Sequence, residues 1–154
     1  MNLKLEAVNL ALWLHFVAVT VGGGAAIVAL LLSGFEEGKE DIQGLAATIW
    51  AKVVAWAFRL GLVAGIVLLV LMIRSGQNPF QAGAYFHIKL TLVLILVGLS
   101  EMTPKALAKG RRGSALLVVV LFLAASFAVF NKGLFLKQSP KAGPELPAAA
   151  ATAR

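Results

Sequence analysis

The sequence predicts an all-α integral membrane protein, a four-transmembrane-helix bundle of up-down-up-down topology, and three observations predict it. Apolar side chains make up 60% of the chain and charged ones only 14%, whereas a soluble domain carries about 25% charge. Mean hydropathy is +0.88. The apolar residues are gathered into stretches long enough to cross a hydrocarbon core of about 30 Å, separated by short polar connections that make successive helices antiparallel neighbours. With no cysteine, thiolate metal sites, iron–sulfur clusters and disulfides are excluded. The formal net charge of +7 comes from basic residues in loops and a tail beside apolar spans, where they meet lipid headgroups, so nucleic acid is not an expected partner.

The membrane domain is read as residues 1–136. The first span, 8–32 (VNLALWLHFVAVTVGGGAAIVALLL), holds His15 and is read as a retained helix, because the charged start and short apolar core of a signal peptide are missing. A polar loop follows, SGFEEGKEDIQG, with four acids and one lysine. The second span, 49–73, contains Lys52 and Arg59 and leaves through RSGQNPF, rich in turn residues. The third, 82–100 (AGAYFHIKLTLVLILVGLS), spans about 28 Å as a helix and carries His87 and Lys89. Its exit, EMTPKALAKGRRG, has four basic residues and a proline expected to help end the helix. The fourth span is 114–136, and residues 137–154, rich in Pro and Ala, are expected to form a disordered tail. Basic residues are equally divided between the two sides. Discounting the distal tail favours the side of the last loop as cytoplasmic, which puts the N-terminus outside.

A lysine at membrane depth costs about 2.5–3.5 kcal/mol, so ionisable groups in the spans are candidates for function. In this topology the first and third helices run the same way. His15, seven residues into its span, and His87, five into its own, therefore share a layer. Two neutral imidazoles across an apolar core suit the axial positions of a b-type haem. The alternatives are separate histidines that bond neighbouring carbonyls, or a bound metal such as copper. Gly22 lies seven residues after His15 on the same face, where it leaves room for a flat macrocycle or forms a small-residue helix contact. Lys89 and Arg59 have no acid within the spans, only Glu101 at the third helix exit. A buried cation needs an anion, which a tetrapyrrole carboxylate, a lipid phosphate or a quinone oxygen could supply. Snorkelling to the interface is the other reading of Lys89.

The segments WLHFVAV (Trp13 to Val19) and YFHIKLTLVLILVG (Tyr85 to Gly98) resemble small four-helix bacterial membrane proteins of the haem-binding protoporphyrinogen oxidase family and, more loosely, copper-resistance D-like membrane domains. The resemblance covers the four-span layout but only these two short motifs by residue. It implies haem b as cofactor, an inner (plasma) membrane location, His15 as a haem ligand and Lys89 as the residue of catalysis. Three functions are therefore expected to compete: a haem-binding redox protein, either a porphyrinogen oxidase or an electron-transfer cytochrome b; a copper or cation permease; and a non-catalytic anchor subunit. Partners under these readings are the bilayer, a tetrapyrrole or quinone, and a second copy or partner subunit.

Overall fold

A computed structural model describes residues 3–76, 80 and 84–130, and among them there are helices and no strand. The elements are α1 (Leu3–Phe35), a 3-10 turn (Glu40–Ile42), α2 (Leu45–Ile49), a π turn (Trp50–Val54), α3 (Ala55–Arg74), α4 (Ala84–Leu107) and α5 (Gly113–Phe130). The α2, π and α3 segments follow without a break and make one rod. Residues 131–136 of the expected fourth span and the 137–154 tail lie outside the described residues.

Three stretches, Glu6–Phe35, Glu40–Arg74 and Phe86–Leu107, are long and apolar enough to cross a membrane, and Gly113–Phe127 is a shorter apolar helix. Helix α1 packs on α3 and α4 packs on α5, and α1 also meets α5 and α3 meets α4. The core gathers Ala26, Ala29, Trp50, Val54, Phe58, Leu96 and Val118. Small residues on α1 let the larger Trp50 and Phe58 fill the centre. Many large apolar side chains, Leu10, Trp13, Phe16, Trp56 and Val63 among them, point outward. In water such a surface would drive association; in lipid it is the ordinary exterior.

The polar connection between the first two helices is organised by Glu36, whose carboxylate accepts from the backbone N–H groups of Gly44 and Ala46. These are among the free donors at the start of α2, so an acid from the end of α1 caps the next helix.

The end of the third helix differs from expectation. Helix α4 runs through Pro104 to Leu107 instead of stopping near Ser100. Pro104 has no N–H for the carbonyl four residues back, that of Ser100. The Trp50 indole Nε1 donates to this carbonyl at 3.1 Å and lies 3.2 Å from the Ser100 hydroxyl. Thr103 Oγ1 donates to Leu99 O at 2.8 Å, and the helix continues with that turn's polar groups satisfied from outside the backbone ladder. It stops at Gly110, whose positive φ of 69° allows Gly110 N–H to reach Leu107 O and Arg111 N–H to reach Ala106 O, the paired bonds of a Schellman end.

Candidate functional site

His15 lies on the face of α1 turned toward α3. Its Nδ1 is 2.7 Å from the carbonyl oxygen of Gly61. A carbonyl only accepts, so Nδ1 carries the proton in the neutral ring and Nε2 keeps its lone pair. The seat exists because α3 carries glycine at two positions one turn apart. A Cβ at Gly65 would stand 3.3 Å from His15 Cε1 and 3.4 Å from Nδ1. At Gly61 it would meet Val19 at 3.4 Å and Ala18 at 3.6 Å. The GLVAG run is thus a close helix contact whose upper residue makes room for an imidazole. The ring is half-buried, with one nitrogen fixed by backbone and the other available to a ligand. A metal-ligating histidine is commonly oriented in this way.

His87 is placed differently. It is exposed on α4 and stands among aromatic rings, 5.9 Å from Phe80 and 6.4 Å from Phe86 by ring centroids. Phe80 and Phe86 themselves meet edge to face at 4.9 Å. The principal helix contacts put α1 and α4 each beside α3 and α5, so the two histidines stand on helices whose main neighbours are other helices. Lys89, two residues beyond His87, is half-buried.

Two of the residues singled out in the sequence have protein neighbours. The space left by Gly22 is taken by protein, since a Cβ there would lie 2.9 Å from the Phe58 ring and 3.1 Å from Ala57 Cβ. Gly23 is closer still, its added Cβ running into the tip of the Phe122 ring. These glycines admit aromatic side chains of neighbouring helices, which is the helix-contact alternative of the sequence reading. Arg59, expected to need an anion from outside the chain, has one within it: its Nε donates to Glu101 Oε1 at 2.7 Å and a terminal nitrogen donates to Oε2. The guanidinium also lies 5.0 Å from the centre of the Trp56 ring, a cation–π contact.

Among the described residues no group of three or more His, Cys, Asp or Glu side chains is placed to hold a metal ion. An open cavity of about 650 Å³ lies between the two connections at one end of the bundle, lined by Ser33, Glu36, Gln43, Leu107 and Arg112. Its charged groups are engaged: Glu36 caps α2, and Arg112 bonds Glu37 at 2.9 Å.

Comparison with protein-family models, curated proteins and solved structures finds no match. The site therefore rests on this chain's own residues. Sequence reasoning missed Trp50, which is fully buried and joins the second rod to α4. The signal was present in Pro104, since a proline within a membrane helix frees the carbonyl four residues before it and a neighbouring donor must answer.

Proposed function

We propose that the chain forms a four-span, up-down-up-down bundle in the inner (plasma) membrane and binds a b-type haem through His15, in the service of redox chemistry. The observation that carries this reading is the His15 Nδ1–H bond to Gly61 O at 2.7 Å, which sets the tautomer and points to Nε2 as ligand atom. Gly65 makes room for the ring in that orientation. What supports the reading is a half-buried imidazole with one nitrogen bonded to backbone and a half-buried lysine on another helix.

Haem would supply one-electron chemistry at iron, which the protein tunes through ligand identity, burial and nearby charge. His15 would hold the iron, with its bond to Gly61 O orienting the ring. Lys89 would balance a carboxylate of a bound tetrapyrrole or of a porphyrinogen substrate. Arg59 has its partner in Glu101 and is assigned no contact to the group. His87, exposed on α4, would add a second nitrogen ligand only in a bis-histidine form. The resemblance at WLHFVAV and YFHIKLTLVLILVG favours porphyrinogen oxidation, and electron transfer to a quinone is the other redox role.

The test is a reduced-minus-oxidised absorption spectrum of the full chain purified from membranes, with haem content measured by pyridine haemochrome. A b-type spectrum supports the reading. A folded, membrane-extracted protein without haem, which also fails to take up added haemin, overturns it. Lys89→Met keeps the apolar stem and removes the charge; weakened haem retention or lost oxidase activity is expected, and unchanged behaviour would reduce Lys89 to an interfacial anchor.

A further inference from the structure

Between the second rod and α4 the outer surface carries a cluster of charge that the haem reading leaves unused. Lys52, Trp56 and Arg59 follow at spacings of four and three residues, so they share one face of the rod, and all three are exposed. Glu101 and Lys105, four apart on α4, are exposed as well. The Arg59–Glu101 ion pair joins the two faces, so both lysines flank a single groove. Three cations stand there against one carboxylate. Glu101 engages the fork of Arg59, while Lys52 and Lys105 have no ion-pair partner among the described residues.

Position along the helices identifies what this groove meets. Lys105 is two residues and Glu101 six residues from the end of the Phe86–Leu107 span, or about 3 Å and 9 Å along the axis. That interval straddles the boundary between hydrocarbon and headgroups. Trp56, with 62% of its surface exposed, is suited to the same level, where indole rings collect. Deeper in the membrane the wall becomes apolar. Leu94 is exposed, and Gly98 is exposed with nothing within 4 Å of its added Cβ, which leaves a flat path for a hydrocarbon chain.

We propose that this groove is a binding site for an anionic phospholipid, with Lys52 and Lys105 on the headgroup phosphate, Trp56 at the glycerol level and an acyl chain along Gly98. The Arg59–Glu101 pair serves as the floor of the site: it ties the two helices together and keeps the guanidinium from competing for the phosphate. The assignment rests on the membrane-crossing part of the function proposed above and is independent of haem.

The test uses the full-length protein in detergent with phosphatidylglycerol or phosphatidylcholine added, with lipid adducts counted by native mass spectrometry and thermal stability measured alongside. The parent should prefer phosphatidylglycerol, and each of Lys52→Gln and Lys105→Gln should weaken that preference about fivefold. A loop variant, Lys109→Gln with Arg111→Gln, removes two charges outside the groove and should retain it. Absence of a preference in the parent, or equal loss in groove and loop variants, overturns the proposal in favour of diffuse charge attraction. All these positions are exposed, and circular dichroism checks that the variants remain helical. Carbonate washing of vesicles separates the two failures: a protein that stays in the bilayer without lipid preference loses only the groove, whereas one that washes off loses the membrane reading too.

Discussion

The contact of α1 with α3 and that of the rod of α2, the π turn and α3 with α4 both place polar groups at an apolar helix boundary, and they satisfy them in opposite ways. At the first, the backbone carbonyl of Gly61 accepts one bond from His15 Nδ1, and this single bond leaves the other ring nitrogen outside the pairing. At the second, donors and acceptors close on each other: Trp50 on Ser100, Arg59 on Glu101, Thr103 on its own helix. In a low-dielectric setting every unanswered polar group is costly. A seam with complete pairing therefore holds helices together, whereas a seam that leaves a good ligand atom unused is where a cofactor is to be sought. The difference also explains why the structural seam uses a large indole and the candidate site uses glycines: one fills space and the other preserves it.

The largest effect expected from breaking this contrast is on stability. Trp50→Ala removes the largest fully buried side chain and leaves the Ser100 carbonyl without its donor beside Pro104. A loss of about 3–5 kcal/mol is expected from the cavity, measured by thermal or denaturant unfolding in detergent. A near-neutral result would show that the seam between this rod and α4 does not depend on that contact.

His15→Ala should separate the seams in the other direction, with little change in unfolding but loss of most of the haem signal. His87→Ala should convert a six-coordinate spectrum to a five-coordinate one while haem is retained. If both variants kept the parental spectrum, neither imidazole would be an axial ligand and the difference between the seams would lose its functional meaning.

Gly65→Ala is a finer probe, because the new methyl would press on His15 at 3.3 Å without removing the ligand atom. The ring must shift by a few tenths of an ångström. Its bond to Gly61 should lengthen, and haem affinity should fall by on the order of tenfold, as for other groups that orient metal ligands. Titration with haemin measures it; unchanged affinity would mean that the seat does not set the ligand's orientation.

The smallest effect is expected for Ser100→Ala, which deletes a hydroxyl 3.2 Å from the Trp50 indole while leaving the carbonyl at 3.1 Å. A cost of about 0.5–1.5 kcal/mol is expected. A loss as large as that of Trp50→Ala would assign the seam to the hydroxyl instead of the freed carbonyl.

The helical class and the apolar stretches were legible in the sequence because they depend on local quantities, the length and hydropathy of a segment and the turn residues between segments. His15 was legible as a candidate for the same reason: a polar ring inside an apolar run stands out without knowledge of its neighbours. The roles of the glycines were not legible, because Gly22 and Gly65 have the same local appearance. Which one faces an imidazole and which an aromatic ring is settled by the register of α1 against α3, with His15 opposite Gly65 and Phe58 opposite Gly22.

The partner of Arg59 was hidden in a similar way. Glu101 was visible as an acid near a helix exit, but the expected end of the third helix set it outside the apolar layer. By itself the sequence determined that this chain is helical, mostly apolar and interrupted by a few ionisable groups, because those properties are sums over neighbouring residues. Only the tertiary structure decided that α4 continues through Pro104 with Trp50 answering the freed carbonyl, and that Arg59 meets Glu101. It also decided that His15 is bound by one nitrogen and not by both. Each of these depends on a donor and an acceptor more than 40 residues apart, brought within bonding distance by helix packing that no local pattern encodes.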